Sequence, residues 1–199
     1  MLLKNAILAA ICGSTLVSLP AFGQEESLPK MEIAIEASAP IAQNTNAQGV
    51  QQGSTVNYGF LAGYRVFFDK HSGVELTYGY ARTSQTYGLN SGALGVSNSS
   101  NEALAAYVFR FPMKRWSPFV LAGAGALIFD PGTVAGATTQ AQAGYLYGGG
   151  ADFNLKHRIF LRMEYRGVFY HSPVFTTGLN APDQFTHRAE PAAGFGFHF

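Results

Sequence analysis

From Met31 onward, large apolar side chains recur at every second position in a series of short stretches, with small, polar or charged residues in the gaps. A period of two marks a β-strand, because successive side chains on a strand point to opposite faces. The sharpest alternation is in 159–170, where Leu161, Met163, Tyr165 and Phe169 oppose Arg162, Glu164 and Arg166. The same pattern marks 31–37, 56–68, 74–86, 101–111 and 140–153. It is weakest in 118–129, where Val120, Ala122, Ala124 and Ala126 face Leu121, Gly123, Gly125 and Leu127. The last segment runs from about Thr186 and ends with Phe195, Phe197 and Phe199 on one face against Gly194, Gly196 and His198 on the other.

Eight strands are therefore predicted, and their connections alternate in length. The links 39–53, 87–100, 130–139 and 171–184 are long and polar, and those around Asp69, Lys114 and Lys156 are short. Long loops at one end and short turns at the other are the layout of a transmembrane β-barrel with strands of about 9–11 residues. The fold class expected is all-β, an eight-stranded antiparallel up-and-down transmembrane β-barrel. Such a meander leaves no open sheet edge in lipid.

The two faces decide between lipid and water. One carries the aromatic residues, of which Tyr58, Tyr64, Phe68, Tyr78, Tyr107, Phe111, Trp116, Tyr145, Phe153 and Tyr165 can supply interfacial girdles. The other combines glycines with charges of both signs: Glu32, Glu36, Glu75, Glu102, Asp152, Glu164 and Glu190 share its parity with Arg65, Arg110, Arg162, Arg166 and Arg188. Placed inward, the glycines make room for long side chains, and the charges have to pair, since an unpaired buried charge is costly. An eight-stranded barrel is just wide enough for its side chains to fill, so no open pore is expected. The rival arrangement, a secreted or periplasmic lipocalin-like barrel with the large residues inside around a ligand, lacks the disulfide such proteins often use and does not explain the aromatic ending. Pro191 fits neither arrangement easily, because it removes one ladder donor.

Composition supports the membrane reading. Charged residues make up 13% of the chain, half the usual share, while Gly and aromatics are abundant. The balance of 13 basic and 12 acidic residues offers no basic excess for nucleic acid or an anionic membrane. Lys4, the apolar run 6–19 and the small residues around Ala21 and Gly23 read as a secretory signal peptide over 1–23, followed by a short periplasmic lead, 24–30, and the barrel, 31–199. A membrane anchor helix is the alternative for the first segment, but Gly13, Ser14 and Pro20 interrupt the run. Cys12, the single cysteine, follows Ile11, which is too bulky for the usual lipoprotein signal; the expected mature chain then has no disulfide or thiolate chemistry.

Gly63-Tyr64-Arg65 before a turn and Gly73-Val74-Glu75-Leu76 after it, then Ser117-Pro118-Phe119-Val120, Met163-Glu164-Tyr165-Arg166 and the final Phe199, occur in the order found in the small eight-stranded outer-membrane barrels. The chain resembles that family, which includes the membrane domain of outer membrane protein A. The resemblance implies a bacterial outer-membrane location among lipid and lipopolysaccharide, a monomer, and recognition of the strand ending at Phe199 by the barrel-assembly machinery. No peptidoglycan-binding domain follows the barrel, so that function is not carried over.

Enzymes exist on this scaffold and need a nucleophile and a base within hydrogen-bond reach. The nearest candidates are His171 and Ser172, with Glu190 on the next strand, but adjacent strand residues point to opposite faces. His71, His157, His171, His187 and His198 show no metal-ligand spacing. Gly148-Gly149-Gly150 lacks the Lys-Ser or Lys-Thr of a phosphate loop. No catalytic, cofactor or metal residue is assigned. The expected function is non-enzymatic, in envelope integrity or in surface interaction through long extracellular loops; a lipid A-modifying enzyme and a narrow channel are the alternatives.

Overall fold

The computed structural model describes residues 30–42, 52–54, 58–89, 92–130, 139–171 and 185–199. The expected signal peptide, 1–23, and most of the lead lie outside them. Ten strands are present: β1 (Met31–Ser38), β2 (Ile41–Ala42), β3 (Gln52–Ser54), β4 (Tyr58–Phe67), β5 (Ser72–Leu89), β6 (Gly92–Arg110), β7 (Trp116–Asp130), β8 (Gln140–Lys156), β9 (Ile159–His171) and β10 (Phe185–His198). Every pairing is antiparallel. Neighbours run β1, β4, β5, β6, β7, β8, β9, β10, and β10 returns to β1, closing an eight-stranded barrel. The two short strands extend its wall: β2 continues β1 along β10, and β3 continues β4 along β5.

Alternation places the side chains as predicted. On β1 the burial pattern is strictly alternating, with Glu32, Ala34, Glu36 and Ser38 buried and Met31, Ile33 and Ile35 outside. All ten predicted girdle aromatics are exposed on the outer wall. An exposed apolar face of this size marks a surface that meets a membrane or another apolar layer, and an aromatic wall on a closed barrel fits lipid.

The strands are longer than their apolar alternation suggests. Of the stretch 87–100, expected as a loop, 87–89 and 92–100 are strand: β5 and β6 stay paired from Ser72↔Phe109 to Leu89↔Gly92. The sequence hid this because 83–98 is mostly Ser, Thr, Asn, Gln and Gly, and Leu89, Leu94 and Val96 are too few to sustain an apolar alternation. A hairpin standing above the membrane has water on both sides and needs no apolar face, so the period-two signal fades while the ladder continues. Part of the predicted loop 39–53 is likewise paired, through β2 and β3.

Pro191 sits where β1 gives way to β2. Ala39 N–H donates to the Pro191 carbonyl at 3.0 Å, and Pro191 has no N–H with which to return the bond. Pairing resumes in the same register at Ile41↔Ala189, so the seam tolerates the proline without a shift.

Candidate functional site

The barrel interior holds seven carboxylates and five guanidinium groups among the described residues, all buried. Alternation puts them there, and the register brings them together. Glu32 on β1 lies near the short-turn end, where Arg110 from β6 reaches it at 2.7 Å and Arg162 from β9 at 3.0 Å. Arg162 also forks onto Asp152 of β8, through Nε to Oδ1 at 2.7 Å and Nη2 to Oδ2 at 2.8 Å. Such bidentate bonds replace the hydration both groups lose. Arg65 pairs directly with Glu75, its register partner on β5, and Thr77 donates to the other Glu75 oxygen at 2.8 Å.

Higher in the lumen the pairing is looser. Arg188 contacts Glu102 directly and Glu190 at 3.1 Å. Arg166, fully buried, has Glu164 at 3.7 Å and Glu102 at 3.8 Å, beyond direct hydrogen-bond length. Glu36 adds a carboxylate with one oxygen buried and unbonded. The room left by inward glycines is taken by neighbours other than arginine. A Cβ at Gly79 would meet the Glu102 side chain, and one at Gly196 would collide with the Phe160 ring.

The rest of the interior is apolar. Phe67, Leu104, Ala106, Val108, Phe119, Leu121, Leu127, Phe129, Leu146, Val168 and Tyr170 form one buried cluster centred on β6 and β7. Aromatic rings mark its border with the ionic network: the Arg65 guanidinium lies 4.0 Å from the centre of the Phe119 ring, and Arg110 lies 3.6 Å from that of Phe67. This apolar half was missed in the sequence, although Val108, Phe119 and Leu146 have the parity of the inward charges.

The catalytic candidates do not assemble. Glu190 points into the lumen and is held by Arg188, whereas the His171 ring packs 4.0 Å from the Phe185 ring. Ser172 lies outside the described residues. Of the other histidines, His187 accepts or donates to Tyr147 Oη at 3.0 Å on the outer wall, and His198 Nδ1 lies 3.4 Å from Glu32 at the foot of the lumen. Among the described residues no group of three His, Cys, Asp or Glu side chains could hold a metal ion. The outer wall carries a shallow groove of about 540 Å³ over Ala37, Ala39, Pro191 and Ala193, flanked by Met163 and Tyr165. At the short-turn end, Asp69 accepts from the N–H groups of His71 at 2.6 Å and Ser72 at 2.8 Å, and these bonds hold its carboxyl below the usual aspartate range.

Solved structures share this architecture. The chain is similar to Neisserial surface protein A (NspA), at 13% identity and a TM-score of 0.61, covering 85% of this chain and 97% of that one. It is similar to OprG from Pseudomonas aeruginosa, at 15% identity and a TM-score of 0.60, covering 86% and 96%. It also resembles Ail of Yersinia pestis in complex with the heparin analogue sucrose octasulfate, at 19% identity and a TM-score of 0.51, covering 85% and 97%. At these identities the likeness is one of fold. No curated protein matches the sequence. The family described as "Outer membrane protein beta-barrel domain" matches residues 9–199. With its aromatic outer wall, its filled lumen and this match over nearly the whole chain, the protein belongs to the outer membrane protein β-barrel domain family and resides in the bacterial outer membrane.

Proposed function

We propose that this is a non-enzymatic barrel whose work is done at its outer end, by surface interaction through the β5–β6 hairpin. The observation that carries the reading is the height of that hairpin. Pairing with β7 ends at Ser99↔Asp130, yet β5 and β6 remain paired to Leu89↔Gly92. At about 3.4 Å per residue this is a ribbon rising about 20 Å or more past its neighbour. The lumen beneath is filled by ion pairs and packed apolar side chains, which supports a platform over a channel.

The ribbon's chemistry indicates the kind of partner. Its sequence between Arg82 and Ser99 consists of Ser, Thr, Asn, Gln, Gly and Tyr with Ala93, Val96 and two leucines, and no charge. Tyr, Ser, Gly and Asn give adaptable hydrogen bonding and rigid contact area, as in antibody loops. Ail was solved with a polysulfated sugar. The present ribbon carries no cation for sulfate, so an uncharged glycan or protein surface suits it better.

The test replaces 84–97 by a two-residue Asn-Gly turn. The shortened protein is expected to keep its heat-dependent shift in gel mobility, while cells displaying it lose adhesion to an array of neutral glycans and matrix proteins. Equal adhesion by the intact and shortened forms, or a preference for sulfated glycans, would sink the reading.

A further inference from the structure

The chain is nearly neutral as a whole, but its charges are sorted by place. Five arginines are enclosed in the lumen among carboxylates. Of the exposed cations in the described residues, Lys30, Lys70, Lys114, Arg115, Lys156 and Arg158 all lie at the short-turn end; Arg82 alone lies at the other. The connecting sequences 43–51, 131–138 and 172–184 at that other end contain no Lys or Arg. Asp69 is the sole exposed carboxylate side chain described among the six cations, and its oxygen is already engaged by the turn's own N–H groups. Glu25 and Glu26 precede Lys30 in the sequence and, even if counted, leave the rim positive.

These cations form a ring, because each hairpin turn contributes: Lys70 between β4 and β5, Lys114 and Arg115 between β6 and β7, and Lys156 and Arg158 flanking the β8–β9 turn, with Lys30 at the start of β1. Turns two strands apart stand about 10 Å from one another, comparable to the Debye length of about 8 Å at physiological ionic strength, so their fields add. Just above them on the outer wall lie Phe68, Phe111, Trp116 and Phe153, with Trp116 stacked on Phe153 at 6.3 Å. Aromatic residues of this kind settle at the headgroup level of a bilayer, which puts the cationic ring among the phosphates. Short turns face the periplasm in barrels of this type.

We infer that the short-turn rim binds anionic phospholipid headgroups of the inner leaflet and so fixes the depth of the barrel. The occupant is a lipid phosphate, because the cations are spread around the circumference beside the lipid-facing wall rather than gathered at one point. This goes beyond the outer-end interaction and is independent of it.

Trp116, the only tryptophan, stands in this rim and reports on it. The barrel is reconstituted in phosphatidylcholine vesicles that carry a fixed fraction of brominated lipid, either phosphatidylglycerol or phosphatidylcholine. At low salt, brominated phosphatidylglycerol is expected to quench Trp116 as if enriched about fivefold, the factor given by about 1 kcal/mol per surface cation. The enrichment falls as salt rises, and it disappears in a variant combining Lys70→Gln, Lys114→Gln, Lys156→Gln and Arg158→Gln. Gel mobility before and after heating verifies that this variant folds; if it does not, Lys114→Gln alone and the salt titration carry the test. Equal quenching by the two lipids would overturn the inference, as would an enrichment that persists in the variant. Loss of enrichment on adding inorganic phosphate, beyond that caused by chloride of equal ionic strength, would overturn it in favour of a general phosphate site.

Discussion

The two halves of the lumen fill the same narrow space by different physics. Around β1, β4, β9 and β10 the inward charges are Glu32, Glu36, Arg65, Arg162, Glu164, Arg166, Arg188 and Glu190, with Leu61, Phe67, Phe160 and Val168 buried among them. Across the barrel, β7 presents no charge inward; its buried residues are Phe119, Leu121, Leu127 and Phe129, packed on Leu104, Val108, Leu146 and Val168. The apolar half needs matching shapes and the ionic half needs matching partners. Damage in the first should be local and proportional to volume. Damage in the second should spread, because Arg65, Arg162, Arg166 and Arg188 each answer to more than one carboxylate.

The largest effect is expected where one cation serves several partners at close range. Arg162 contacts Glu32, Asp152 and, at 3.8 Å, Glu75. Arg162→Ala leaves these buried carboxylates to Arg65 and Arg110, and removing one member of a buried pair costs about 3–5 kcal/mol. Urea unfolding of the refolded barrel measures it. Adding Glu32→Gln or Asp152→Asn to this variant should recover part of the loss, although either change alone in the native protein destabilises. Independent, additive costs would show that the ionic half is not a network.

The apolar half is tested by volume. Leu127 is fully buried, and Leu127→Ala is expected to cost about 3 kcal/mol. Gly144, on the facing strand β8, has no room for a Cβ because the Leu127 methyl group occupies it. Gly144→Ala alone therefore destabilises, but the double variant should be more stable than the sum of the two, by about 0.5–3 kcal/mol. Here the methyl group added at Gly144 fills part of the space vacated by the Leu127 side chain and so restores part of the packing, whereas no change of charge would. Additive losses in the same urea titration would break the distinction between the halves.

The ionic half was legible in the sequence and the apolar half was not, for one reason. Charged residues at a strand's inward parity have few explanations, so Glu164 and Arg166 between Met163, Tyr165 and Phe169 announce a polar lumen. An inward Leu104 or Val108 on a strand whose outer face is Ala103, Ala105 and Tyr107 looks the same from either side. Strand order, closure and the outer girdle followed from alternation and loop length. The height of the β5–β6 hairpin did not, because above the membrane neither face has to be apolar. Which carboxylate meets which arginine depends on register between strands distant in sequence, such as Glu32 with Arg110, and no local pattern encodes that.

The smallest effect expected is also the one that joins the halves. Phe119 belongs to the apolar cluster, yet the Arg65 and Arg162 guanidinium groups lie 4.0 and 5.3 Å from its ring centre. Phe119→Leu keeps most of the apolar volume and removes the ring's electron-rich face. A desolvated cation–π contact contributes about 2 kcal/mol at most, so a loss of about 1–2 kcal/mol is predicted beyond a conservative apolar swap elsewhere in the cluster, such as Leu121→Met. The discriminating measurement is the cycle with Arg65→Met. If the ring acts on the cation, Phe119→Leu costs less once Arg65 is gone; if the ring only fills space, its cost stays the same in both backgrounds, and the two halves of the lumen merely abut.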